Sequence, residues 1–505
     1  GMILDVGTVD RDLRLRADAC VVGSGAGGAV IARELAAGGK SVVVLEEGAY
    51  WTSRDFTQLE EEMYPRLYRE RGTKPTADHT VLVSQGRALG GSTVVSFCLC
   101  FRTPRLILER WRERHGLPIS YESLFPHFEE VESVIGARPA GPGDLNANNR
   151  ILLEGSERLG YRGRFVDHNR SDCLGCGYCA LGCAYDRKGD MLTTYLPAAS
   201  TLGARILPEV RVEKVLHDGK RAHGVVGHVR RSSTGRRYGV RVDAPVVVLS
   251  AGALQSPMLW ARSALPDPHR LAGRNLHLHP YTLVVGVFED PVLCWQGIPQ
   301  TWVMDEFLNL EKQIEGGYLA FAASAQPVAT ASLMPGLGPE HRRLMDRYAH
   351  LAAVAFFLND RSTGRVRPDR RGRAVIDYHL NDDDKRDVMH ALHTGAAILF
   401  AAGAKSVILP YNDLVELRRR EDAEVIEERG ILANDPLFLS FHPQGTLRMG
   451  RELRDSIVNA DGRAHAIQGL FVADSSTFPT SVAVPPQISV MAFARRTAHH
   501  ILKAV

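Results

Sequence analysis

An α/β fold is predicted by three features of these 505 residues. One is a strand–helix–strand unit near the start, "DACVVGSGAGGAVIARELAAGGKSVVVLEEG"; another is a set of similar apolar runs scattered as far as residue 476; the third is the different character of the stretches between them. Together they predict a Rossmann-like domain interleaved with a second, α+β domain.

The run at 19–22 reads as a parallel strand, because a short unbroken apolar stretch suits a strand covered on both faces. Residues 27–37 read as the helix that follows, and 42–45 as the next strand, completing a βαβ unit. "APVVVLSAG" at 244–252 and "GLFVADSS" at 469–476 are further buried strands, each ending in a Gly- or Ser-rich turn. Between them, "YTLVVGVFED" at 281–290 is β-like and "NDDDKRDVMHALHTGAAILFAAG" at 381–403 is helical. "RPDRRGR" at 367–373 reads as a turn between strands, and Arg418–Arg420 as a solvated helix face. This order places one domain on 1–118, 196–285 and 441–505, and the other on 119–195 and 286–440.

Bulk composition narrows the function classes. At 45% hydrophobic the chain can build real cores, and 61 basic against 58 acidic residues give no electrostatic reason to expect nucleic acid or an anionic membrane. No run of about 18 apolar residues could cross a bilayer. No export signal is visible in "GMILDVGTVDRDLRLRADACVVG", so a cytoplasmic setting is expected, where clustered thiols more often hold metal than pair as disulfides.

Gly23, Gly25 and Gly28 form GxGxxG directly between the first strand and its helix. The first permits the tight turn, the second lets a pyrophosphate approach the backbone, and the third lets the helix lie close on the strand. Phosphates then sit at the positive end of the helix. Glu46, 18 positions after Gly28, ends the second strand, where a carboxylate can accept from a ribose diol. FAD and NAD are not separated by this unit.

Five further motifs follow in order: "GRALGGSTVVSFCLCFRTP" at 86–104, "AGALQSPMLWARS" at 251–263, "LAGRNLHLHP" at 271–280, "FHPQGTLRMG" at 441–450 and "GLFVADSSTFPTSVAVPPQISVMAFARRTA" at 469–498. With the N-terminal fingerprint they resemble the glucose–methanol–choline (GMC) family of flavin oxidoreductases over nearly the whole chain, most closely the long-chain alcohol oxidase and cholesterol-oxidase-like branches. The resemblance implies FAD across a doubly wound sheet, under a domain built on an antiparallel sheet. It implies that Gly23, Gly25, Gly28 and Glu46 hold the ADP half, and that Arg87, Gly90, Gly91 and Ser92 flank the pyrophosphate and flavin. It implies that the Val212 backbone meets the adenine, that Asp474 lies near the ribityl and pyrophosphate, and that a helix starting near Gln487 aims its positive end at the flavin. His279 stays open between a structural histidine and a flavin neighbour.

His442 occupies the position of the family's catalytic base. Oxidising a CH–OH group requires removal of the hydroxyl proton as a hydride leaves the same carbon, and imidazole suits that task near neutrality. The expected function is FAD-dependent oxidation of a bulky or apolar small-molecule alcohol, with oxygen, a quinone or a redox protein as electron acceptor. A nicotinamide dehydrogenase is disfavoured because no second GxGxxG unit occurs. Two positions depart from the family. Pro485 stands where a second catalytic Asn or His is usual, and its side chain can neither donate nor accept; Ser96 replaces a common Asn. The alternative function is therefore an FAD-binding protein with lost or altered alcohol oxidation, and Gln444 or Gln487 are the residues that could fill the gap.

"CLGCGYCALGC" at 173–183 spaces Cys173, Cys176, Cys179 and Cys183 as CxxCxxCxxxC, the run that ligates iron–sulfur clusters in ferredoxins. An iron–sulfur cluster, a zinc site and a metal-free loop stay open at this point.

Overall fold

In the computed structural model, which describes residues 2–230, 235–308, 310 and 315–504, the scattered apolar runs come together as neighbours. A six-stranded sheet runs in the order Met2–Ile3, Arg205–Leu207, Val42–Leu45, Ala19–Val22, Val246–Leu249, Leu470–Val472, with every pair parallel. The inner strands Ala19–Val22, Val42–Leu45 and Val246–Leu249 are buried at all four positions, as a sheet covered on both faces demands. Each buried Val or Leu contributes about 1.5–3 kcal/mol. The helix Gly28–Ala37 covers one face and ends at Gly38 and Gly39, the latter in the left-handed region at φ 79°. The helices Tyr121–Ile135 and Gln487–Ala504 lie in the same layer.

The second layer is a ten-stranded mixed sheet centred on the antiparallel strands Tyr281–Val287, Leu351–Leu358 and Tyr318–Ala323. The helix Asp382–Ala401 packs on it, its N-terminus capped by Asn381, whose Oδ1 accepts from the Asp384 N–H at 2.8 Å. "RPDRRGR" is the expected turn between strands, Gly364–Pro368 and Ala374–Asp377. The expected helix face at Arg418–Arg420 is instead a strand end leading into a short 3-10 turn, Arg420–Glu424. Among the described residues no helix is long and apolar enough to cross a membrane.

Candidate active site

A single cavity of about 880 Å³ runs from the glycine loop at the end of strand Ala19–Val22 to the face of the mixed sheet. Gly23, Gly25, Glu46, Arg87, Gly91, Ser92, Val212, Asp474, Gln487 and His442 all line it, as does Pro485. Gly28 and Gly90 stand just behind its wall.

The glycine loop is shaped by close approach. Gly23 sits at φ 100°, and a Cβ there would fall 2.2 Å from the Ser250 carbonyl oxygen; one on Gly28 would fall 2.0 Å from the Gly23 carbonyl oxygen. At Gly25 the situation is reversed. A Cβ there would meet only the Gly91 Cα, at 3.8 Å, and otherwise project into the cavity. This open cradle above a helix N-terminus fits a dinucleotide pyrophosphate.

Ser24 ties the loop to its neighbours. Its hydroxyl donates to Glu46 Oε2 at 2.7 Å and accepts from the Gly90 N–H at 3.0 Å, and its own N–H donates to Glu46 Oε2 at 3.0 Å. Glu46 Oε1 accepts from the Gly48 N–H at 2.7 Å, so this carboxylate braces the backbone as well as facing the cavity. Burial holds its carboxyl above the usual range, against the pull of those hydrogen bonds. Next to it lies Glu47, which sequence reasoning missed. Burial alone would raise that carboxyl, but the Arg69 guanidinium at 2.7 Å outweighs it, with Arg211 and Arg230 adding, and brings it down to about 2.

Asp474 is likewise more occupied than expected. Its carboxylate accepts from the Gly252 N–H at 2.9 Å, the Ser256 hydroxyl at 2.5 Å, and the Ser476 N–H at 2.9 Å and hydroxyl, joining the last strand to the helix Gly252–Arg262. Ser92 accepts from the Gly86 N–H at 2.9 Å, and Ser96 donates to the Thr93 carbonyl at 3.0 Å. Val212 lies where the strand Val210–His217 shifts register.

At the far end of the cavity His442 is half-buried beside an aromatic wall, with Phe357 at 4.6 Å between ring centroids, and Tyr281 packed on both Phe357 and Phe441 at 5.5 and 5.4 Å. Burial pushes its imidazole down to about 3, leaving it neutral. Its Nδ1 lies 3.0 Å from Nδ1 of His279. Of the two glutamines that could fill the gap at Pro485, Gln487 lines the cavity and Gln444 does not. Gln444 is fully buried, donating to the His442 carbonyl and accepting from the Val482 N–H, both at 3.1 Å. Gln487 opens the last helix as expected; its amide nitrogen donates to the Leu99 carbonyl at 2.6 Å and to Asn169 Oδ1 at 3.2 Å, while its Oε1 has no hydrogen-bond partner among the described residues. The described residues of the apolar stretches 302–310 and 318–323 do not line the cavity; Tyr318–Ala323 is buried throughout as a core strand. Asn309 in the first of them lies outside the described residues.

The structure gives the expected iron–sulfur cluster no support. Among the described residues no three His, Cys, Asp or Glu side chains are placed to hold a metal. Cys173 Sγ accepts from the Gly175 N–H at 3.4 Å, Cys183 Sγ accepts from the Arg187 N–H at 3.2 Å, and Cys179 hydrogen-bonds Cys98. As placed, the four sulfurs do not form a ligand set for an iron–sulfur cluster or for zinc. What the loop builds is wall: Gly177, Tyr178, Ala180 and Leu181 face the cavity, and the buried Lys188 ammonium holds the loop through the Cys179 and Val94 carbonyls at 2.8 and 2.7 Å.

Comparison with known proteins agrees with this geometry. Family models described as GMC oxidoreductase match residues 64–281 and 360–494. An uncharacterised GMC-type oxidoreductase of Mycobacterium tuberculosis is 36% identical, over 97% of this chain and 76% of that protein. Long-chain-alcohol oxidase FAO4B of Arabidopsis thaliana is 30% identical, over 96% of this chain and 67% of that one. The crystal structure of pyridoxine 4-oxidase from Mesorbium loti shares the fold with a TM-score of 0.73 at 20% identity, covering 96% of this chain and 98% of that one. Formate oxidase of Aspergillus oryzae does so with a TM-score of 0.71 at 16% identity, covering 97% and 98%. The chain belongs to the GMC oxidoreductase family and is an FAD-dependent oxidoreductase.

Proposed function

We propose that this protein oxidises the CH–OH group of a bulky, largely apolar alcohol, with His442 as the base. One observation carries the reading: a neutral imidazole opens onto the same cavity as the glycine cradle, 880 Å³ that begins at the dinucleotide loop and ends at an aromatic wall. Gly23, Gly25, Glu46, Arg87, Gly91, Ser92 and Val212 would hold FAD there, with Asp474 and the N-terminus of helix Gln487–Ala504 alongside. When bound, FAD supplies the two-electron acceptor for the hydrogen leaving the carbinol carbon. Nε2 of His442 takes the hydroxyl proton, which requires the hydroxyl within hydrogen-bond reach of that nitrogen. Tyr281, Phe357 and Phe441 cover the apolar part of the substrate and exclude water from it.

The base must be neutral to act, and its depressed value works in that direction. With His442 at about 3, kcat/KM stays level from pH 8 down to about pH 5 and falls only as the ring protonates below that. A limb centred near the ordinary histidine value in a pH–rate profile would identify a solvated group as the base and contradict this assignment.

A second reading is favoured by Pro485, whose side chain offers no hydrogen bond, together with Gln444, whose amide is engaged at both ends: a flavin protein that has lost alcohol oxidation. Anaerobic mixing with a panel of alcohols separates the two. Bleaching of the flavin supports oxidation; a flavin reduced by dithionite and by no alcohol supports the second reading. With an active alcohol in hand, oxygen uptake against reduction of a quinone analogue distinguishes oxidase from dehydrogenase.

A further inference from the structure

His279 is fully buried, and among the described residues its ring meets two aromatic neighbours, Phe357 and His442, each with a centroid at 5.0 Å. Its Nδ1 faces Nδ1 of His442 at 3.0 Å, while its Nε2 is buried without a hydrogen-bond partner. Burial keeps both rings neutral. Two neutral imidazoles meeting through Nδ1 share one proton, so two arrangements exist. If His279 donates, Nε2 of His442 carries hydrogen and cannot take a proton from a substrate. If His442 donates, its Nε2 is bare and the hydrogen of His279 lies on its own buried Nε2, where it has no acceptor, so the arrangement that serves a base is the one that costs more.

We propose that His279 is the positioning residue that accepts the Nδ1–H of His442 and thereby holds the base in the tautomer whose Nε2 is free. This rests on the reading of His442 as base. It stands on geometry that fixes His279 independently of any ligand. The residue sits at φ 51°, in the left-handed region. That conformation is held by Asp360, whose carboxylate accepts from the Leu278 and His279 N–H groups at 3.0 and 3.2 Å and from the Tyr378 hydroxyl at 2.8 Å. The base is held from the other side, because Gln444 donates to its carbonyl and exchanges two backbone hydrogen bonds with His277, both 2.9 Å.

The arrangement also says where the proton goes. Once Nε2 of His442 has accepted it, the Nδ1–H···Nδ1 contact becomes charge-assisted and strengthens. Passing the charge on to His279 would place a cation in a fully buried ring whose other nitrogen has no partner, which is costly. The proton therefore stays on His442 and leaves by the cavity it came from.

The test is ¹⁵N NMR of the flavin-loaded enzyme labelled in histidine, with the His442 signals identified by their loss in His442→Asn. The expected result is hydrogen on Nδ1 and none on Nε2. In His279→Phe, which removes the acceptor, the expected result is a mixture of tautomers and a kcat lowered about 10- to 1,000-fold with KM within about threefold. His279→Asn, whose Oδ1 can accept the same hydrogen, is expected to restore the tautomer and bring kcat within about tenfold of the parent. Flavin content and melting temperature show whether each variant is folded, and the spectrum of the unaltered enzyme needs no variant. Hydrogen found on Nε2 of His442 while His442→Asn is inactive would overturn the role of His279 alone. Full activity in His442→Asn would instead overturn the reading of the base.

Discussion

Replacing His442 by Asn lowers kcat/KM for the best alcohol of a panel by about 10²- to 10⁴-fold, the range expected when a positioned proton acceptor is lost. Asn is the informative choice. Its amide reaches the place of Nδ1 and keeps a hydrogen bond to His279, whose Nδ1 lies 3.0 Å away, so the packing against Phe357 changes little. What disappears is Nε2. Flavin content and the oxidised spectrum are expected to match the parent, because His442 contributes to the far end of the cavity and not to the glycine loop. Rapid mixing under nitrogen then isolates the reductive step, and bleaching within threefold of the parent rate would rule His442 out as the base.

Replacing Gly25 by Val gives a folded protein that does not retain flavin. The Cβ itself meets nothing closer than the Gly91 Cα at 3.8 Å, so the apo fold tolerates it. The added methyls occupy the space into which a pyrophosphate must come, and displace it from the loop amides. Titration of the apoprotein with FAD is expected to show affinity weakened at least about 100-fold, or roughly 2.7 kcal/mol. The contrast is Gly28→Val, where a Cβ would fall 2.0 Å from the Gly23 carbonyl oxygen and folding itself should fail. If Gly25→Val binds FAD as tightly as the parent, the pyrophosphate lies elsewhere.

The βαβ unit was legible because both of its signals are local. An apolar run with no polar face marks a strand covered on two sides, and the glycine spacing follows from the turn it must make. The placement of 246–249 and 470–472 in the same sheet followed from their likeness to the first strand. The contact that organises the base was not legible, since His279 and His442 are 163 positions apart and meet only because the segments at His277 and Gln444 pair. The carboxylates of Glu46 and Asp474 were placed correctly at strand ends, but a residue type does not say which way its oxygens turn. In the structure backbone amides and hydroxyls capture much of that acceptor capacity, because a buried carboxylate with open positions is expensive. The cysteines mislead for a related reason. Even spacing describes a loop that could close on a metal, whereas Cys179 finds Cys98, 81 positions earlier, and the loop closes on the cavity instead.

The strand order has a consequence for synthesis. Val246–Leu249 receives its outer neighbour, Leu470–Val472, only after a further 221 residues have left the ribosome. At about 5–20 residues per second this leaves an apolar edge without its partner for roughly 10–45 s. Newly made chains should therefore depend on holdase chaperones, and a ribosome stall between 250 and 470 should yield aggregates rather than a soluble fragment.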